Sequence, residues 1–496
     1  MTFGPWGEAA LGAREVLRRA TRRSAAEWRD AVSAGLTDPA APFRLGDLSR
    51  AQLFLWTGAN LAAGERATRD APSGGAHLGV PPARALVLGT IAADLYLSYT
   101  TLKERGRWLP ETVKQDDWLL AHRRGAGRLL DAAQSLGGTL IKAGQFASSR
   151  PDLLPAAYTQ ELSSLQDRVP PQPAGVIEEA VARELGRPVA DAFASFDSDP
   201  VAAASIAQVH RATLRDGQDV AVKVQYPGIP AIIEADLEAL EAIFDAIARL
   251  EPGVRLQPIA DYLRWTLPLE LDFRREAKAM TGLGRALGHR ADIVVPKVVE
   301  GMTTERLLVM DFVEGIRISD RDALVAAGID PAAVARTLID AFAEGLYKRA
   351  VLHADPHPGN LLVQPGPEGP HLVLLDHGLT MDLEPSFVAT LSRMVGAMKE
   401  GDIEGLTLSL GEAGLPVGPE TDMETLLGVV GVLLGGEREE ARPELGELGR
   451  GLGASVGDLP PRLLLVGRAI GLLDGITRTL DPDLDVLDIV VRHTDE

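Results

Sequence analysis

The chain has 496 residues, of which 46% are hydrophobic and 24% charged, and it contains no cysteine. This composition is typical of a globular protein of two or three domains, and the absence of cysteine excludes disulfides, thiolate catalysis and cysteine-based zinc sites. The 70 acidic residues outnumber the 50 basic ones and give a formal net charge of -20. Because broad binding to nucleic acid requires clustered lysine and arginine, we expect no nucleic-acid partner.

The sequence does not predict a membrane-spanning helix, which needs roughly 18 apolar residues in a row. The two best candidates, Ala85–Ala93 and Thr425–Gly436, are shorter, and each is ended by an acidic residue. The arginines between Arg14 and Arg23 lie on a helix-like segment, which indicates either a surface helix or a membrane-surface or targeting helix. We therefore expect a cytoplasmic protein, with peripheral membrane contact as the alternative; the sequence leaves open whether it forms a homodimer.

Taken in chain order, the predicted elements divide the chain into four regions. They are an N-terminal helical region at 1–125, a helical extension at 126–171, a strand-rich lobe with inserted helices at 172–315, and a mainly helical region at 316–496. In the extension, apolar residues recur at helical spacing from Ala126 to Arg150, where a proline follows. This order predicts an α+β protein with two lobes that meet near Asp311–Gly315.

The strand-rich lobe contains short segments of β-forming residues and two helices. The pair Asp216-Gly217 is a strong hairpin signal between two such segments, and Gly301 separates another two. The predicted strands are Phe193–Phe196, Ile206–Leu214, Asp219–Gln225, Val294–Val299 and Thr304–Phe312, and the predicted helices are Ile229–Leu250 and Leu267–Leu287. A further, buried strand is predicted at His371–Leu375.

Lys223 ends the strand segment Val220-Ala221-Val222-Lys223. Alternation along a strand places Ala221 and Lys223 on one face, and a lysine that faces inward on a central strand is costly unless it is paired. On a predicted helix further along the chain, Glu276 is placed to hold this lysine against the α- and β-phosphates of a nucleotide, as the lysine–glutamate pair of protein kinases does. Alone, either residue would be an ordinary surface charge.

The segment His353–Asn360, with the sequence HADPHPGN, is the strongest single signal. Its two prolines and its glycine predict a rigid loop that holds Asp355 and Asn360 near each other. The apolar segment Leu372–Leu375 follows and leads directly into Asp376. Since Mg²⁺ prefers hard oxygen ligands and usually takes one or two from the protein, we assign Asn360 and Asp376 to the metal and leave Asp355 as the base-like group.

Two other interpretations of this loop are weaker. In the first, Asp355-Pro356 forms a turn and Asp376 is a cap, which explains each residue alone but not their joint spacing downstream of Lys223. In the second, His353 and His357 form a zinc pair, but the neighbouring prolines forbid the helix that this geometry needs.

Together these residues resemble a protein-kinase catalytic set, with the changes of one branch. A typical kinase has a glycine-rich phosphate loop before its lysine, whereas this sequence has Ala202-Ala203-Ala204-Ser205. Each methyl group removes conformations with positive φ and adds bulk near the phosphates. Such an alanine-rich loop is a hallmark of the UbiB (AarF-domain) family of atypical kinase-like ATPases, which this sequence therefore resembles.

Three other segments resemble the same family. Ile141–Ala147 resembles its Lys-x-Gly-Gln helix, in which Lys142 and Gln145 share one face. Glu270-Leu271-Asp272 resembles its Glu-x-Asp motif, and Tyr158–Pro171 is also typical of the family.

The resemblance, which extends over residues 126–400, implies a two-lobed kinase-like fold whose Lys-x-Gly-Gln helices pack over the cleft. It implies ATP and Mg²⁺ as cofactors, a role in the biosynthesis of ubiquinone and related isoprenoid quinones, and a prenylated quinone precursor or another lipid as a partner. The residues to which it gives roles are Lys223, Glu276 and Asp355 in catalysis; Ala202, Ala203, Ala204, Ser205, Met310 and Phe312, with Lys223, in nucleotide binding; Asn360 and Asp376 in metal binding; and Lys142, Gln145, Glu270 and Asp272 in covering the cleft.

Three functions fit these residues. The first is an enzyme of the phosphotransferase class that hydrolyses ATP or transfers its γ-phosphate in support of isoprenoid-lipid metabolism. The second is a nucleotide-gated module that extracts or presents a lipid or a partner protein without phosphoryl transfer. The third is a small-molecule kinase of the aminoglycoside or choline type, which the alanine-rich loop and the segment Lys142-Ala143-Gly144-Gln145 disfavour.

Overall fold

The computed structural model of the protein describes residues 81–494, except residues 149, 151–152, 166–170, 251–253, 255, 368, 416 and 418–459. The arginine-rich segment Arg14–Arg23 and the apolar stretch Thr425–Gly436 therefore lie outside the described residues. Within the described ranges, no helix is both long and apolar enough to cross a membrane.

In the described part of the chain, the helices that precede the first sheet include a break that the apolar spacing did not indicate. They are α1 (Pro81–Trp108), α2 (Gln115–Leu136), α3 (Thr139–Ser148), α4 (Ala156–Leu162), α5 (Ala174–Leu185) and α6 (Val189–Ala192), with a 3-10 turn at Pro110–Thr112. The helical spacing from Ala126 to Arg150 runs across two helices, α2 and α3, because Gly137 and Gly138 interrupt it. Both glycines have φ in the left-handed region, 64° and 56°, which other residues rarely adopt.

The strands of the described residues form three sheets. In chain order they are β1 (Phe193–Phe196), β2 (Ala202–Ala203), β3 (Ala207–Leu214), β4 (Asp219–Gln225), β5 (Ile293–Val294), β6 (Leu307–Asp311), β7 (Ile316–Arg317), β8 (Val351–His353), β9 (Leu361–Gly366), β10 (Gly369–Leu374) and β11 (Thr380–Asp382). The first sheet has the order β1-β3-β4-β6, with β2 also paired to β3; the second has the order β5-β10-β9-β7; and the third pairs β8 with β11. Strand β5 runs parallel to β10, and the other described pairs are antiparallel.

The predicted strands overlap strands of the structure but differ at some of their ends: β3 begins at Ala207, and the predicted strand Thr304–Phe312 corresponds to β6, Leu307–Asp311. Strands β1 and β4 have the predicted bounds, and the predicted hairpin between β3 and β4 turns at Gly217, whose φ is 91°. The predicted strand Val294–Val299 is not continuous: β5 ends at Val294, and Val298 pairs with Met310 of β6 through an isolated antiparallel bridge. Pro296 lies between them and cannot donate to a strand ladder.

Of the remaining helices of the described chain, three precede β5 in the sequence and the others follow β7. They are α7 (Ile229–Leu250), α8 (Gln257–Leu271), α9 (Phe273–Ala286), α10 (Arg321–Ala326), α11 (Pro331–Ala343), α12 (Pro385–Glu400), α13 (Ile403–Glu412), α14 (Pro461–Leu480) and α15 (Val486–Thr494), with a π-helical turn at Glu344–Lys348 and a 3-10 turn at Pro358–Asn360. Helix α7 has the predicted bounds. The single helix predicted at Leu267–Leu287 is wrong, because Asp272 ends α8 and its carboxylate accepts the backbone N–H groups of Arg274 and Arg275 as the N-cap of α9.

A buried ion pair attaches α1 to α7. The guanidinium of Arg84 donates two hydrogen bonds, of 2.8 and 2.6 Å, to the carboxylate of Asp236, and a third of 2.6 Å to the backbone oxygen of Leu136. The side chains of Arg84 and Asp236 are each 1% exposed. This pair therefore joins α1, the end of α2 and α7 inside the protein.

Buried apolar side chains connect the elements in two main groups within the described residues. The larger group, which includes Phe146, Val222 and Leu308, joins the early helices to the first sheet. The second, which includes Leu338 and Leu361, lies between α11 and the strands of the second sheet. The predicted α+β class is confirmed.

Candidate functional site

Lys223, Glu276 and Asp376 meet between the first sheet and the loop that follows β10. The Nζ atom of Lys223 lies 2.7 and 2.9 Å from the two carboxylate oxygens of Glu276 and 3.1 Å from Oδ2 of Asp376. The side chain of Glu276 is 2% exposed and that of Asp376 is 39% exposed. One ammonium therefore bridges a buried carboxylate and a partly exposed one.

The sheet and the start of α9 place this ammonium. Strand pairing sets Lys223 opposite Val209 of β3 and Leu308 of β6, so its methylene groups pass between apolar side chains. Its Nζ lies 5.1 Å from the ring centre of Phe273, the first residue of α9. Glu276 lies almost one helical turn after Phe273, so the same helix end supplies both the ring and the carboxylate.

The charges of the three groups depend on one another. Burial raises the pKa of Glu276 above its ordinary value, and the Lys223 ammonium opposes this. Burial would also raise the pKa of Asp376, but the ammonium and the N–H of Gly378, 2.9 Å from Oδ1, hold it well below its usual range. The two carboxylates in turn raise the pKa of Lys223 despite its burial. Lys223 is therefore protonated and Asp376 ionised at neutral pH.

Asn360 lies beside the loop that carries Asp376 because β9 begins where β10 ends. The two strands are antiparallel, and the N–H of Leu375 donates to the backbone oxygen of Asn360 at 2.9 Å. The side-chain Nδ2 of Asn360 donates to the backbone oxygen of Asp355 at 3.3 Å. The Oδ1 atom of Asn360 is therefore the atom left to accept from, or bind, another group.

Asp355 is held by a residue from the C-terminal part of the chain. Its Oδ1 accepts a 2.8 Å hydrogen bond from Nη2 of Arg468 on α14, and Nη1 of Arg468 donates to the hydroxyl of Tyr262 at 3.1 Å. The side chains of Asp355 and Arg468 are 12% and 20% exposed. Burial opposes the charge of Arg468, but the Asp355 carboxylate outweighs it, so the pKa of Arg468 lies above its usual value.

The alanine-rich segment is attached along its length. Ala202 and Ala203 form β2, which pairs with β3. The hydroxyl of Tyr226 donates to the backbone oxygen of Ala204 at 3.0 Å. Ser205, assigned to nucleotide binding from the sequence, is only 1% exposed. The segment is therefore fixed by backbone pairing and by a side-chain hydrogen bond.

The two residues assigned to the nucleotide at the junction of the lobes lie at the end of β6. Met310 lies opposite Ala221 of β4, and since residues two apart on a strand share a face, both point to the same side as Lys223. Phe312 follows β6, and the guanidinium of Arg211 lies 4.6 Å from its ring centre.

Helix α3, which carries Lys142 and Gln145, lies against α8. The Nζ atom of Lys142 is 3.1 Å from Oε2 of Glu270, and the two side chains are 12% and 13% exposed. The rings of Phe146 and Tyr262 stack with 3.7 Å between their centres and 9° between their planes. The Nε2 of Gln145 donates to the backbone oxygen of Leu165 at 3.3 Å, so the predicted cleft-covering residues make contacts to two different neighbouring segments.

Gly144 and Asp272 each have a structural role in the packing of α3 and α9. A methyl group added to Gly144 would come within 2.2 Å of Cδ1 of Leu165, so glycine permits the close approach of the chain there. Asp272, which the sequence assigned to the cleft, is the N-cap of α9, and so fixes where the helix carrying Glu276 begins.

Four residues around the site were not found from the sequence. Arg468 and Tyr262 hold Asp355, and no local pattern distinguishes either of them. Arg275 donates to the backbone oxygens of residues 378 and 380. Its position between Asp272 and Glu276 was the only feature of the sequence that pointed to a role in the site. His377 is fully buried, its ring centre lies 5.2 Å from that of His353, and burial lowers its pKa to about 3.

Comparison with known proteins gives a family for this site. Residues 164–409 match the model of the ABC1 atypical kinase-like domain. The chain is 35% identical over 411 residues to an uncharacterized protein of Synechocystis, covering 80% of this chain and 68% of that protein. It is 33% identical over 375 residues to the probable protein kinase UbiB of Marinobacter nauticus, covering 72% of this chain and 67% of that protein. The chain belongs to the ABC1 atypical kinase-like family.

Eukaryotic members of the ABC1 family align over a smaller share of their length. The AarF domain-containing protein kinase 1 of Xenopus tropicalis is 34% identical over 289 residues, which cover 58% of this chain and 55% of that protein. The chain therefore spans little more than half of the length of this relative. Membership in the ABC1 family confirms the kinase-like fold and the family expected from the sequence motifs.

The donor atoms of the candidate site are of the kind that binds a magnesium ion. Asn360 Oδ1 and the Asp376 carboxylate are hard oxygen donors, the type and number that Mg²⁺ usually takes from a protein. Each oxygen of Asp376 accepts one hydrogen bond, from Lys223 or from Gly378, and keeps lone pairs for a cation. The depressed pKa of Asp376 keeps this carboxylate ionised.

Proposed function

We propose that this protein binds ATP with Mg²⁺ at the Lys223–Glu276–Asp376 site and hydrolyses it or transfers its γ-phosphate. The observation that carries the proposal is the position of Lys223 Nζ, 2.7 Å from Glu276 and 3.1 Å from Asp376. Phosphoryl transfer needs a cation on the phosphates and oxygen ligands for the metal within one small volume, and the contact of Lys223 with Asp376 supports such an arrangement.

Each residue has a part in this proposal. Glu276 keeps the Lys223 ammonium directed at the α- and β-phosphates, and Met310 and the ring of Phe312 line the adenine end of the site. Asn360 and Asp376 hold Mg²⁺, which neutralises charge on the β- and γ-phosphates. Asp355 orients the acceptor hydroxyl or water and takes its proton.

The alanine-rich segment and α3 limit which acceptor can enter the cleft. Ala202–Ser205 lies where the phosphates approach, and its methyl groups give less room than glycine would. Lys142 and Gln145, with Glu270 and Asp272, cover the side of the cleft on which a peptide substrate would lie. A small or lipid acceptor therefore fits the site better than a protein chain does.

The likeness to a protein named UbiB supports a role in isoprenoid quinone or other lipid metabolism. The acceptor in this proposal is a prenylated quinone precursor or a related lipid. Such an acceptor would bring the protein into peripheral contact with a membrane.

A second function is favoured by one contact. Asp355, the group that would take a proton, is already bonded to Arg468 at 2.8 Å. Because Arg468 occupies Oδ1 of this carboxylate, the contact favours a nucleotide-gated module that presents a lipid or a protein without phosphoryl transfer.

Calorimetry and turnover together test the proposal. Titration of ATP with and without Mg²⁺ should show tighter binding when the metal is present, and Asp376→Asn should remove this metal dependence. ATP turnover should rise when a prenylated quinone precursor is added. Metal-dependent binding without turnover under any lipid would select the module, and the absence of metal-dependent binding would refute both functions.

A further inference from the structure

The side chain of Arg275 holds the loop that follows Asp376. Its Nη1 atom donates to the backbone oxygen of Gly378 at 2.5 Å, and its Nη2 atom donates to the backbone oxygen of Thr380 at 2.9 Å. The two nitrogens of one planar guanidinium thus bind two carbonyl groups on alternate residues. A fork of this shape restrains both the position and the direction of the backbone.

The turn held by Arg275 also fixes the Asp376 carboxylate. The N–H of Gly378 donates to Oδ1 of Asp376 at 2.9 Å, and the N–H of Thr380 donates to the backbone oxygen of His377 at 3.0 Å. A Cβ atom added to Gly378 would lie 3.2 Å from Oδ1 of Asp376, so the turn is closed tightly on the carboxylate. Any change in the backbone at Gly378 therefore changes the direction of this side chain.

Arg275 stands at a point where three parts of the site meet. Its own N–H is capped by Asp272, and its neighbour Glu276 binds Lys223. Thr380, which it holds, is paired with His353 between β11 and β8, two residues before Asp355. The start of α9 therefore contacts Lys223 through Glu276 and the loop after Asp376 through Arg275.

We propose that Arg275 is a positioning residue that fixes the Asp376 carboxylate for a divalent cation by holding the turn 376–380 against α9. This inference rests on the proposed function, because it takes Asp376 as a metal ligand. Without the guanidinium, two carbonyl groups lose their donors and the turn is free to adopt other conformations. Groups that orient a metal ligand typically account for about 10- to 100-fold in metal affinity.

The test compares Arg275→Gln and Arg275→Lys with the wild-type chain. Mn²⁺ binding in the presence of ATP is measured by electron paramagnetic resonance, and ATP binding without metal is measured by calorimetry. Both variants should bind the cation about 10- to 100-fold more weakly, while metal-free nucleotide binding stays near the wild-type level. Lysine should not rescue the defect, because an ammonium cannot span the two carbonyl groups as the guanidinium does.

A matched control lies one position earlier on the same helix. Arg274 is exposed, so Arg274→Gln should bind the cation as the wild type does. If Arg275→Gln does not fold, Gly378→Ala tests the same turn without touching the arginine, and it should reproduce the metal defect through the methyl group near Asp376.

The outcomes separate this inference from the proposed function. Wild-type affinity for the cation in both Arg275 variants would overturn the inference while leaving the function intact. Failure of the wild-type chain to bind nucleotide with metal would refute the proposed function itself. Hydrogen exchange of the amides at 378 and 380 adds a reading independent of any ligand: exchange should be faster in Arg275→Lys than in Arg274→Gln.

Discussion

Asp355 and Arg468 are 113 residues apart in sequence, yet the guanidinium of Arg468 donates a 2.8 Å hydrogen bond to the carboxylate of Asp355. The contact makes α14 a part of the candidate site. It also means that the group proposed to receive a proton has a fixed orientation, since Tyr262 holds the other side of the same guanidinium.

Replacement of Arg468 by methionine is expected to leave the Asp355 carboxylate without a partner. Because the pair is mostly buried, the free energy of unfolding should fall by about 2–4 kcal/mol, measured by denaturant titration. ATP turnover should fall by about 10-fold or more through misplacement of Asp355, with little change in nucleotide affinity. Arg478→Met on the same helix removes an exposed pair with Asp474 and should cost less than about 1 kcal/mol; equal losses in the two variants would contradict the assignment.

The pair of Arg84 and Asp236 predicts a large effect of one substitution and a small effect of two. Arg84→Met leaves a carboxylate that is 1% exposed without its cation, so the free energy of unfolding should fall by about 3–5 kcal/mol. Adding Asp236→Leu removes the unpaired charge and should recover most of this loss. Urea unfolding of the two variants measures the difference, and a double variant less stable than Arg84→Met would show that the pair is not the cause.

His210 predicts loss of stability in mild acid. Its Nδ1 lies 2.7 Å from the backbone oxygen of Asp197 and its Nε2 lies 2.7 Å from Nε2 of Gln208, so the folded ring must be neutral to accept from the amide. Burial lowers its pKa. As pH falls below about 6.5, the unfolded chain binds a proton that the folded chain does not, so the free energy of unfolding decreases.

The size of this effect is measurable with His210→Gln. The slope of the unfolding free energy against pH between about 6.5 and 5.5 should become smaller by up to about 1.4 kcal/mol per pH unit, the contribution of one proton. Urea titrations of both proteins at several pH values give the slopes. Identical slopes would mean that His210 does not titrate in the unfolded chain as expected.

Ala350 predicts a stabilising substitution. Its φ of 52° lies in the left-handed region, which costs a residue with a side chain about 1–2 kcal/mol, whereas glycine loses about 0.5–1 kcal/mol more entropy than alanine. Ala350→Gly should therefore raise the free energy of unfolding by up to about 1 kcal/mol. Ala182→Gly, inside α5, should lower it by about 1 kcal/mol, and thermal unfolding of the pair should move in opposite directions.

Short sequence motifs correctly predicted those elements of the fold that depend on neighbouring residues. The turn at Gly217 and the bounds of β1, β4 and α7 follow from residues that lie within a few positions of each other. Elements were misjudged where apolar periodicity continued across a break. Gly137-Gly138 was an available signal, while Asp272 ends α8 inside a continuous periodic pattern and acts only through its cap.

Long-range contacts could be predicted only where a known catalytic pattern linked distant residues. Lys223, Glu276 and Asp376 were grouped in that way, and the structure brings them into contact. Arg468 lies in an apolar helical segment that looks like any packing helix, so no spacing pointed to Asp355. The fork of Arg275 depends on backbone carbonyl groups, which every residue has and no sequence reveals.

The bond from Tyr226 to Ala204 has a consequence for ligand exchange. A glycine flap loses conformational freedom each time it closes on a ligand, and that loss weakens binding. Here the hydroxyl of a tyrosine that is 1% exposed already restrains the segment, so little freedom remains to be lost. If the site takes the proposed nucleotide, we expect its entry and departure to depend on movement of the first sheet as a whole and not on a flap formed by this segment.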